Sequence, residues 1–180
     1  MSRPAPTLLQ PRKTPRQARS TVTVEAIYEA TIQVLLADGV SRLTTTRVAE
    51  RAGVSVGTMY QYYPHKQALL FAVVERQLAL IKTAMLSATA RLEGMGIDAL
   101  GEGLAVAWLD AKTADIVASR AIYGIAAEFD LGEVMHRTLV EMVRAIEALL
   151  VAAPDGRFSD PSSAAFMIAA MLGGLSLIHI

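Results

Sequence analysis

Apolar residues recur every three or four positions along most of the 180-residue chain, which is the spacing of one face of an α-helix. The clearest run is Met135, Leu139, Met142, Ile146 and Leu149. The sequence contains neither strand-like alternation nor an Asn-Gly hairpin signal, and glycines and prolines separate the periodic segments. The pattern therefore predicts an all-α protein.

The breaks between periodic segments predict where the helices lie. In the first half we expect helices over residues 19–38, 45–53, 56–63 and 65–91, with Gly39 and Gly53 at helix ends. In the second half we expect helices over residues 100–111, 114–129 and 131–150. A last helix is predicted to start at Pro161 with Asp160 as its N-cap.

Charge is distributed unevenly along the chain, although 17 basic and 17 acidic residues balance overall. The first 66 residues carry nine basic and four acidic side chains, a net charge of +5, and the remainder carries −5. Such an asymmetry indicates binding to a polyanion, with a solvated basic tail as the alternative. The chain has no cysteine, which excludes a disulfide framework, a thiolate zinc site and a cysteine nucleophile.

Residues 44–66 predict a helix-turn-helix, because two helices of about two turns are joined by Gly53, Val54 and Ser55. In this motif the second helix enters the major groove of DNA. Val48, Ala49, Ala52, Val54, Met59 and Leu69 are expected to close a small core. We expect the second helix to present outward the side chains of Thr58, Tyr60, Gln61 and Tyr62.

The same segment resembles the tetracycline-repressor-like (TetR) family over about residues 16–70. The resemblance is carried by the strings at residues 45–49, 52–55 and 57–66. It implies a homodimeric repressor with an N-terminal three-helix DNA-binding domain and a larger C-terminal domain for ligand binding and dimerisation. The expected division is a basic arm over residues 1–18, a DNA-binding domain over 19–66 and an effector domain over 67–180.

The motif and the resemblance together assign DNA contacts to individual positions. Hydroxyls and helix N-termini are suited to phosphates, Gln61 is suited to an adenine edge, and Gly57 permits close approach. Lys66 matches a phosphate anchor of the family. The assigned residues are Thr45, Thr46, Arg47, Ser55, Gly57, Thr58, Tyr60, Gln61, Tyr62 and Lys66. The arm residues Arg12, Lys13, Arg16 and Arg19 are expected to add salt-dependent affinity.

Alternatives remain open at several of these positions. Tyr63 is expected in the core, and Arg47 and Arg51 are alternatively solvated or paired with Glu50. His65 stands where the family usually has a capping residue, so a weaker helix cap is expected there. Val56 offers only an apolar contact, which leaves little direct readout of the operator sequence.

The C-terminal domain is less explicit. Trp108, Tyr123 and Phe129 are candidate linings of an effector pocket, with ordinary core as the alternative. The acids Asp110, Asp115 and Glu128 are candidate partners for a cationic ligand. The last two helices resemble the family's four-helix dimer interface.

The C-terminal residues raise two further questions. Residues 161–180 carry no charged side chain, and we interpret them as a buried interface helix rather than a membrane span. The string at residues 175–180 resembles the translation of a common transposase sequencing adapter. One hypothesis is therefore that these six residues are foreign and that the native last helix is truncated.

The sequence thus predicts a cytoplasmic, ligand-responsive transcriptional repressor that binds a palindromic operator as a homodimer. A helical ligand carrier and a protein adaptor without DNA binding are the alternatives. An enzyme is not expected, because the three histidines stand apart and no HExxH, GxSxG or P-loop motif occurs. No metal, cofactor or membrane partner is predicted.

Overall fold

The computed structural model describes residues 18–126 and 128–179, with side chains over residues 20–174 except 127. Three of the arm residues, Arg12, Lys13 and Arg16, lie outside the described residues, as does the side chain of Arg19. The side chains of residues 175–180 are likewise outside, so the hypothesis of a foreign terminus stays a prediction.

Every regular element in the described part of the chain is an α-helix, which confirms the predicted fold class. The helices are α1 (Ala18–Arg42), α2 (Thr45–Ala52), α3 (Val56–Tyr62), α4 (Lys66–Leu92), α5 (Ile97–Thr113), α6 (Ile116–Ala126), α7 (Gly132–Ala152) and α8 (Pro161–His179). Apart from the end of α1, their ends lie within about three residues of the predicted positions, because glycines, prolines and caps act locally.

Gly39 interrupts α1 where the sequence predicts its end. Its φ of 76° and ψ of 169° are non-helical, and three further residues continue the helical assignment to Arg42. A positive φ is open to glycine without the steric cost that a side chain would add. The regular part of α1 therefore ends at Asp38, as the sequence predicts.

The chain divides into two compact units. The first unit contains α1, α2, α3 and the start of α4, up to Arg76. It also contains the later segment Arg120–Leu131. Its core contains the almost fully buried side chains of Ile27, Leu43, Met59 and Leu69. This division differs from the predicted boundary at residue 66, and the boundaries of the functional domains stay a prediction.

The second unit contains Gln77–Ser119 and the chain from Gly132 onward. Its core is built from α4, α5, α7 and α8; it includes Met85, Leu104, Ile146 and Ala165. The predicted apolar face of α7 is confirmed for Met142, Ile146 and Leu149, which are buried. The prediction is wrong for Met135, whose side chain was expected on the same buried face but is 48% exposed.

The start of α8 matches its prediction. The amide of Ser163 donates to Asp160 Oδ1 at 3.0 Å, and its hydroxyl donates to Oδ2 at 2.6 Å. These hydrogen bonds lower the pKa of Asp160. Asp160 is therefore the N-cap, and Pro161 follows at the first helical position. Within residues 18–126 and 128–179, no helix combines the length and hydropathy that a membrane crossing requires.

Candidate nucleic-acid interface

The turn of the helix-turn-helix depends on one glycine and two capping hydroxyls. Gly53 adopts the left-handed conformation with φ 67° and ψ 28°, and its amide donates back to Glu50 O. Thr44 caps α2 by accepting from the amide of Arg47 at 3.2 Å. Ser55 caps α3 by accepting from the amide of Thr58 at 3.0 Å. Helices this short are only marginally stable in isolation, so capping hydrogen bonds contribute a large share of their stability.

A small apolar core holds α2 and α3 together, as the sequence predicts. Val48, Ala49 and Met59 are fully buried, and Leu69 of α4 is 1% exposed. Ala52 and Val54, expected in the same core, are half-buried. The packing fixes the orientation of α3, and with it the face that α3 presents to solvent.

That face carries most of the residues assigned to DNA. Gly57 and Gln61 are exposed, Thr58 is half-buried, and Tyr60 is 44% exposed. The expectation that Tyr62 points outward is wrong, because only 7% of it is exposed. Tyr62 is rotated by about 100° around the helix axis from Gln61, and its ring is buried in the core. DNA contact by Tyr62 stays a prediction.

Tyr63 is buried, which confirms its expected place in the core. It is 6% exposed, and burial raises the pKa of its hydroxyl. Its ring centroid lies 6.5 Å from that of Tyr62. The two tyrosines therefore anchor the end of α3, and Tyr60 is left as the exposed tyrosine of this helix.

The cations of the segment have partners that the sequence did not identify. Arg47 pairs with Asp38 at 2.9 Å, and Arg51 donates to the side-chain oxygen of Gln33 at 2.6 Å. Pairing of either arginine with Glu50 was the expected alternative, and the observed partners lie on α1 instead. Lys66 donates to the carbonyl of Val40 near the end of α1. Its predicted role as a phosphate anchor therefore competes with a hydrogen bond inside the protein.

His65 caps α4 despite the expected weakness of that position. The amide of Ala68 donates to His65 Nδ1 at 3.1 Å. A side chain that accepts from an amide in the first turn of a helix is an N-cap. The strength of this cap relative to an asparagine stays a prediction.

One cluster in the first unit was missed by the sequence reasoning. Arg76 of α4 forms a bidentate pair with Glu25 of α1, at 2.6 and 2.7 Å, and lies 3.9 Å from the ring centre of Tyr28. The hydrogen bonds from Arg76 lower the pKa of Glu25 and raise that of Arg76. The partners are 51 residues apart, and no local pattern in the sequence signals the pair.

The candidate effector residues are distributed over both units. Trp108 packs in the core of the second unit and is 9% exposed. Tyr123 and Phe129 are half-buried and belong to the first unit. Asp115 accepts from the amide of Ala118 at 2.8 Å, a capping bond at the start of α6. Their assignment to a ligand stays a prediction.

A buried polar chain in the second unit was also missed. The amide nitrogen of Gln77, only 2% exposed, donates to Ser119 Oγ at 3.3 Å. Ser119 donates in turn to the carbonyl of Lys112 at 2.9 Å. The signal in the sequence was a glutamine at a core-facing position of α4, between Val73 and Ile81.

These features define a helix-turn-helix protein whose second helix exposes polar and aromatic side chains. Residues 27–73 match the family model for bacterial regulatory proteins of the tetR family. The nucleoid occlusion factor SlmA of Actinobacillus pleuropneumoniae is 35% identical over 72 residues, which are 39% of this chain and 33% of SlmA. The matched segment thus spans about a third of the length of this curated relative.

Solved structures extend the similarity beyond the helix-turn-helix. A TetR-family regulator from Streptomyces coelicolor superposes with a TM-score of 0.57 at 25% identity, over 92% of this chain and 83% of that one. The SmeT–triclosan complex superposes with a TM-score of 0.67 at 21% identity, over 86% and 78%. Residues 27–73 are therefore similar to the conserved segment of tetR-family regulators, and the all-helical fold of the chain, with an N-terminal helix-turn-helix and a C-terminal helical part, is similar to that of a TetR-family regulator.

Proposed function

We propose that this protein is a cytoplasmic homodimeric repressor that binds a palindromic operator and is released from it by a small-molecule effector. The observation that carries the proposal is the exposed face of α3, with Gly57, Tyr60 and Gln61. A recognition helix needs hydrogen-bonding and aromatic side chains on the face that enters the major groove. A helix whose role is only to pack against the core does not require such side chains on its exposed face.

The charge of the chain supports the same conclusion. The residues up to 66 carry a net charge of +5, and the rest carries −5. The phosphate backbone attracts the first part, while the acidic remainder is repelled from the duplex. The proposed DNA-binding segment contains Thr45, Thr46, Arg47, Ser55, Gly57, Thr58, Tyr60, Gln61, Tyr62 and Lys66, and direct contact with DNA is proposed for those that are not buried, which leaves out Thr45 and Tyr62.

Dimerisation is supported by the outer face of α8. Phe166, Met167 and Met171 are 53%, 57% and 63% exposed, while Ala165 and Ala169 pack into the core. A large apolar surface on one helix favours association. In a two-fold symmetric dimer, each copy would present one α3 to a half-site, with the half-sites about one helical turn apart.

An effector is supported by relatives rather than by a described pocket. SmeT was solved as a complex with triclosan. For this chain we propose only a small-molecule effector, whose binding shifts the protein toward a conformation with low operator affinity. Trp108, Tyr123 and Phe129 stay candidate ligand residues.

The test is a fluorescence-anisotropy titration with the DNA upstream of the protein's own gene. We expect affinity to fall steeply with salt, because phosphate contacts release counterions. Tyr60→Ala should weaken binding about tenfold or more and lower the thermal midpoint only slightly, because the hydrogen bond that it loses, from Thr45, is long at 3.3 Å. Lys66→Ala should weaken binding and also lower the midpoint, since its hydrogen bond to Val40 is lost.

Matched controls come from the second unit and its exposed loop. Phe158→Ala removes an aromatic ring that is 36% exposed, and Lys82→Ala removes a lysine that pairs with Glu141 at 2.9 Å. Both should bind DNA like wild type. Salt-independent binding, or wild-type affinity in both test variants, would contradict the proposal. It would leave the ligand carrier or protein adaptor as the better interpretation.

A further inference from the structure

Two residues assigned to DNA contact each other across the turn. Thr45 is the first residue of α2, Tyr60 lies in α3, and the hydroxyl of Thr45 donates to the hydroxyl of Tyr60 at 3.3 Å. Thr45 is only 8% exposed, whereas Tyr60 is 44% exposed. One of the two side chains is therefore turned inward, and the other reaches solvent.

The direction of this hydrogen bond determines what Tyr60 can do. A phenol has one proton to donate and lone pairs that accept. Because Tyr60 accepts from Thr45, its own proton is not used in that bond. Among the described residues, no other group shares a hydrogen bond with the Tyr60 hydroxyl. A phosphate oxygen can only accept, so the Tyr60 proton has the polarity that a phosphate requires.

Thr45 is poorly placed to contact a phosphate itself. Its side chain is buried and its single proton is directed to Tyr60. The side chain of the next residue, Thr46, is exposed. The two adjacent threonines, which the sequence treats alike, therefore have different surroundings.

We infer that Thr45 is a positioning residue, which holds the Tyr60 hydroxyl with its proton directed to a DNA phosphate. The inference rests on the proposed DNA-binding function. A side chain that is already held in its binding geometry loses less conformational freedom on association. A hydroxyl that accepts one hydrogen bond also becomes a stronger donor in the next. Both effects act through Tyr60, and neither requires contact between Thr45 and DNA.

A double-mutant cycle tests the inference on the full chain. The probe is a fluorescein-labelled, mixed-sequence duplex of roughly 30 base pairs, long enough for two half-sites, because phosphate contacts do not depend on sequence. Thr45→Val keeps the shape of the side chain and removes its proton. We expect it to weaken binding about three- to tenfold, the usual effect of one hydrogen bond. Combined with Tyr60→Phe, it should cause no further loss.

Two variants separate positioning from packing and from direct contact. Thr45→Ser keeps the hydroxyl without the methyl group, so it should bind within about twofold of wild type even where the thermal midpoint falls. Thr46→Val makes the same chemical change one residue later. Any loss it causes should persist in the Tyr60→Phe background, because Thr46 does not act through Tyr60.

Each alternative result has a definite meaning. If Thr45→Val weakens binding as much in the Tyr60→Phe background as in wild type, Thr45 contacts DNA directly and the inference is wrong. Wild-type affinity for Thr45→Val, or equal loss for Thr45→Ser and Thr45→Val, also overturns it. Those results leave the proposed function intact. Failure of the wild-type protein to bind any duplex overturns both.

Discussion

The helix-turn-helix and the α7–α8 pair are both helical, but they are specified in different ways. The helices α2 and α3 have eight and seven residues, and their ends are set by Thr44, Gly53 and Ser55. The helices α7 and α8 have 21 and 19 residues and pack through a broad apolar core. In the first region single polar atoms fix the geometry, whereas in the second many interchangeable apolar contacts do so.

The difference extends to the surfaces that the two regions expose. The outer face of α3 has glycine, tyrosine and glutamine, whereas the outer face of α8 has phenylalanine and methionine. A polar, position-specific surface suits a partner with a fixed array of hydrogen-bonding groups, such as DNA. An apolar surface suits burial against another apolar surface, with few positional requirements. On α3 the effect of a substitution on binding should therefore depend on which residue is replaced. On α8 it should depend on whether the new side chain is apolar or charged.

The largest effect is expected from a charge on the outer face of α8. Met167→Glu places a carboxylate in the proposed dimer interface and should give a monomer by light scattering. DNA affinity should fall about 100-fold, because a monomer loses the second, intramolecular binding event. Leu80→Glu, at another exposed apolar position of the second unit, is the control. A dimer with wild-type affinity for Met167→Glu would show that the interface lies elsewhere.

The next largest effect is expected from the basic side chains that cause the salt dependence of DNA binding. Arg47, Arg51 and Lys66 have partners inside the protein, so the salt dependence of binding should come largely from the arm. Replacing Arg12, Lys13 and Arg16 by glutamine should reduce the salt slope by up to about 0.9 per lost phosphate contact. The measurement is anisotropy over a range of salt concentrations. An unchanged slope would locate the contacts within the helix-turn-helix.

Substitution of Gly57 should affect the stability of the fold and the affinity for DNA in different ways. A Cβ at this residue would meet Ser55 Oγ at 3.8 Å, an ordinary contact, so the protein itself leaves room for alanine. Gly57→Ala should leave the thermal midpoint unchanged or raise it, since alanine is worth about 0.5–1 kcal/mol over glycine in a helix. Binding should weaken about tenfold if the DNA backbone approaches here. Unchanged affinity would contradict a close approach.

The smallest effect is expected from the pair of Glu25 and Arg76. Because Arg76 lowers the pKa of Glu25, the pair stabilises the folded state above the ordinary glutamate pKa and is lost as pH falls through the lowered one. Both side chains are more than a third exposed, so solvent screening limits the contribution to less than about 1 kcal/mol. Urea midpoints of wild type and Glu25→Gln should differ at pH 7 and converge as the pH falls through the lowered pKa of Glu25.

The control for this pair is Glu29→Gln on the same helix. Glu29 is exposed, so the same substitution there reports the effect of removing a carboxylate from α1 while the pair of Glu25 and Arg76 stays intact. If Glu25→Gln and Glu29→Gln behave alike across this pH range, the ion pair contributes nothing measurable to folding.

The two regions also differ in how far the sequence could predict them. The caps at Thr44, Ser55 and Asp160 and the positive φ at Gly39 and Gly53 depend on neighbours three or four residues away, and helix ends follow directly from them. The surroundings of the candidate effector residues Trp108, Tyr123 and Phe129 depend on contacts between helices. Residue type could name them as candidates, but local spacing could not tell which of them is buried.

By itself, the sequence determined the all-α class, the order of the helices and the helix-turn-helix, because each is encoded by local periodicity and local capping. Only the tertiary structure decided which of two nearby tyrosines is exposed: Tyr62 is buried, and Tyr60 reaches solvent. It also decided that Thr45 donates to Tyr60 and that Glu25 meets Arg76. Burial and pairing depend on residues distant in the chain, and these come together only when the helices pack.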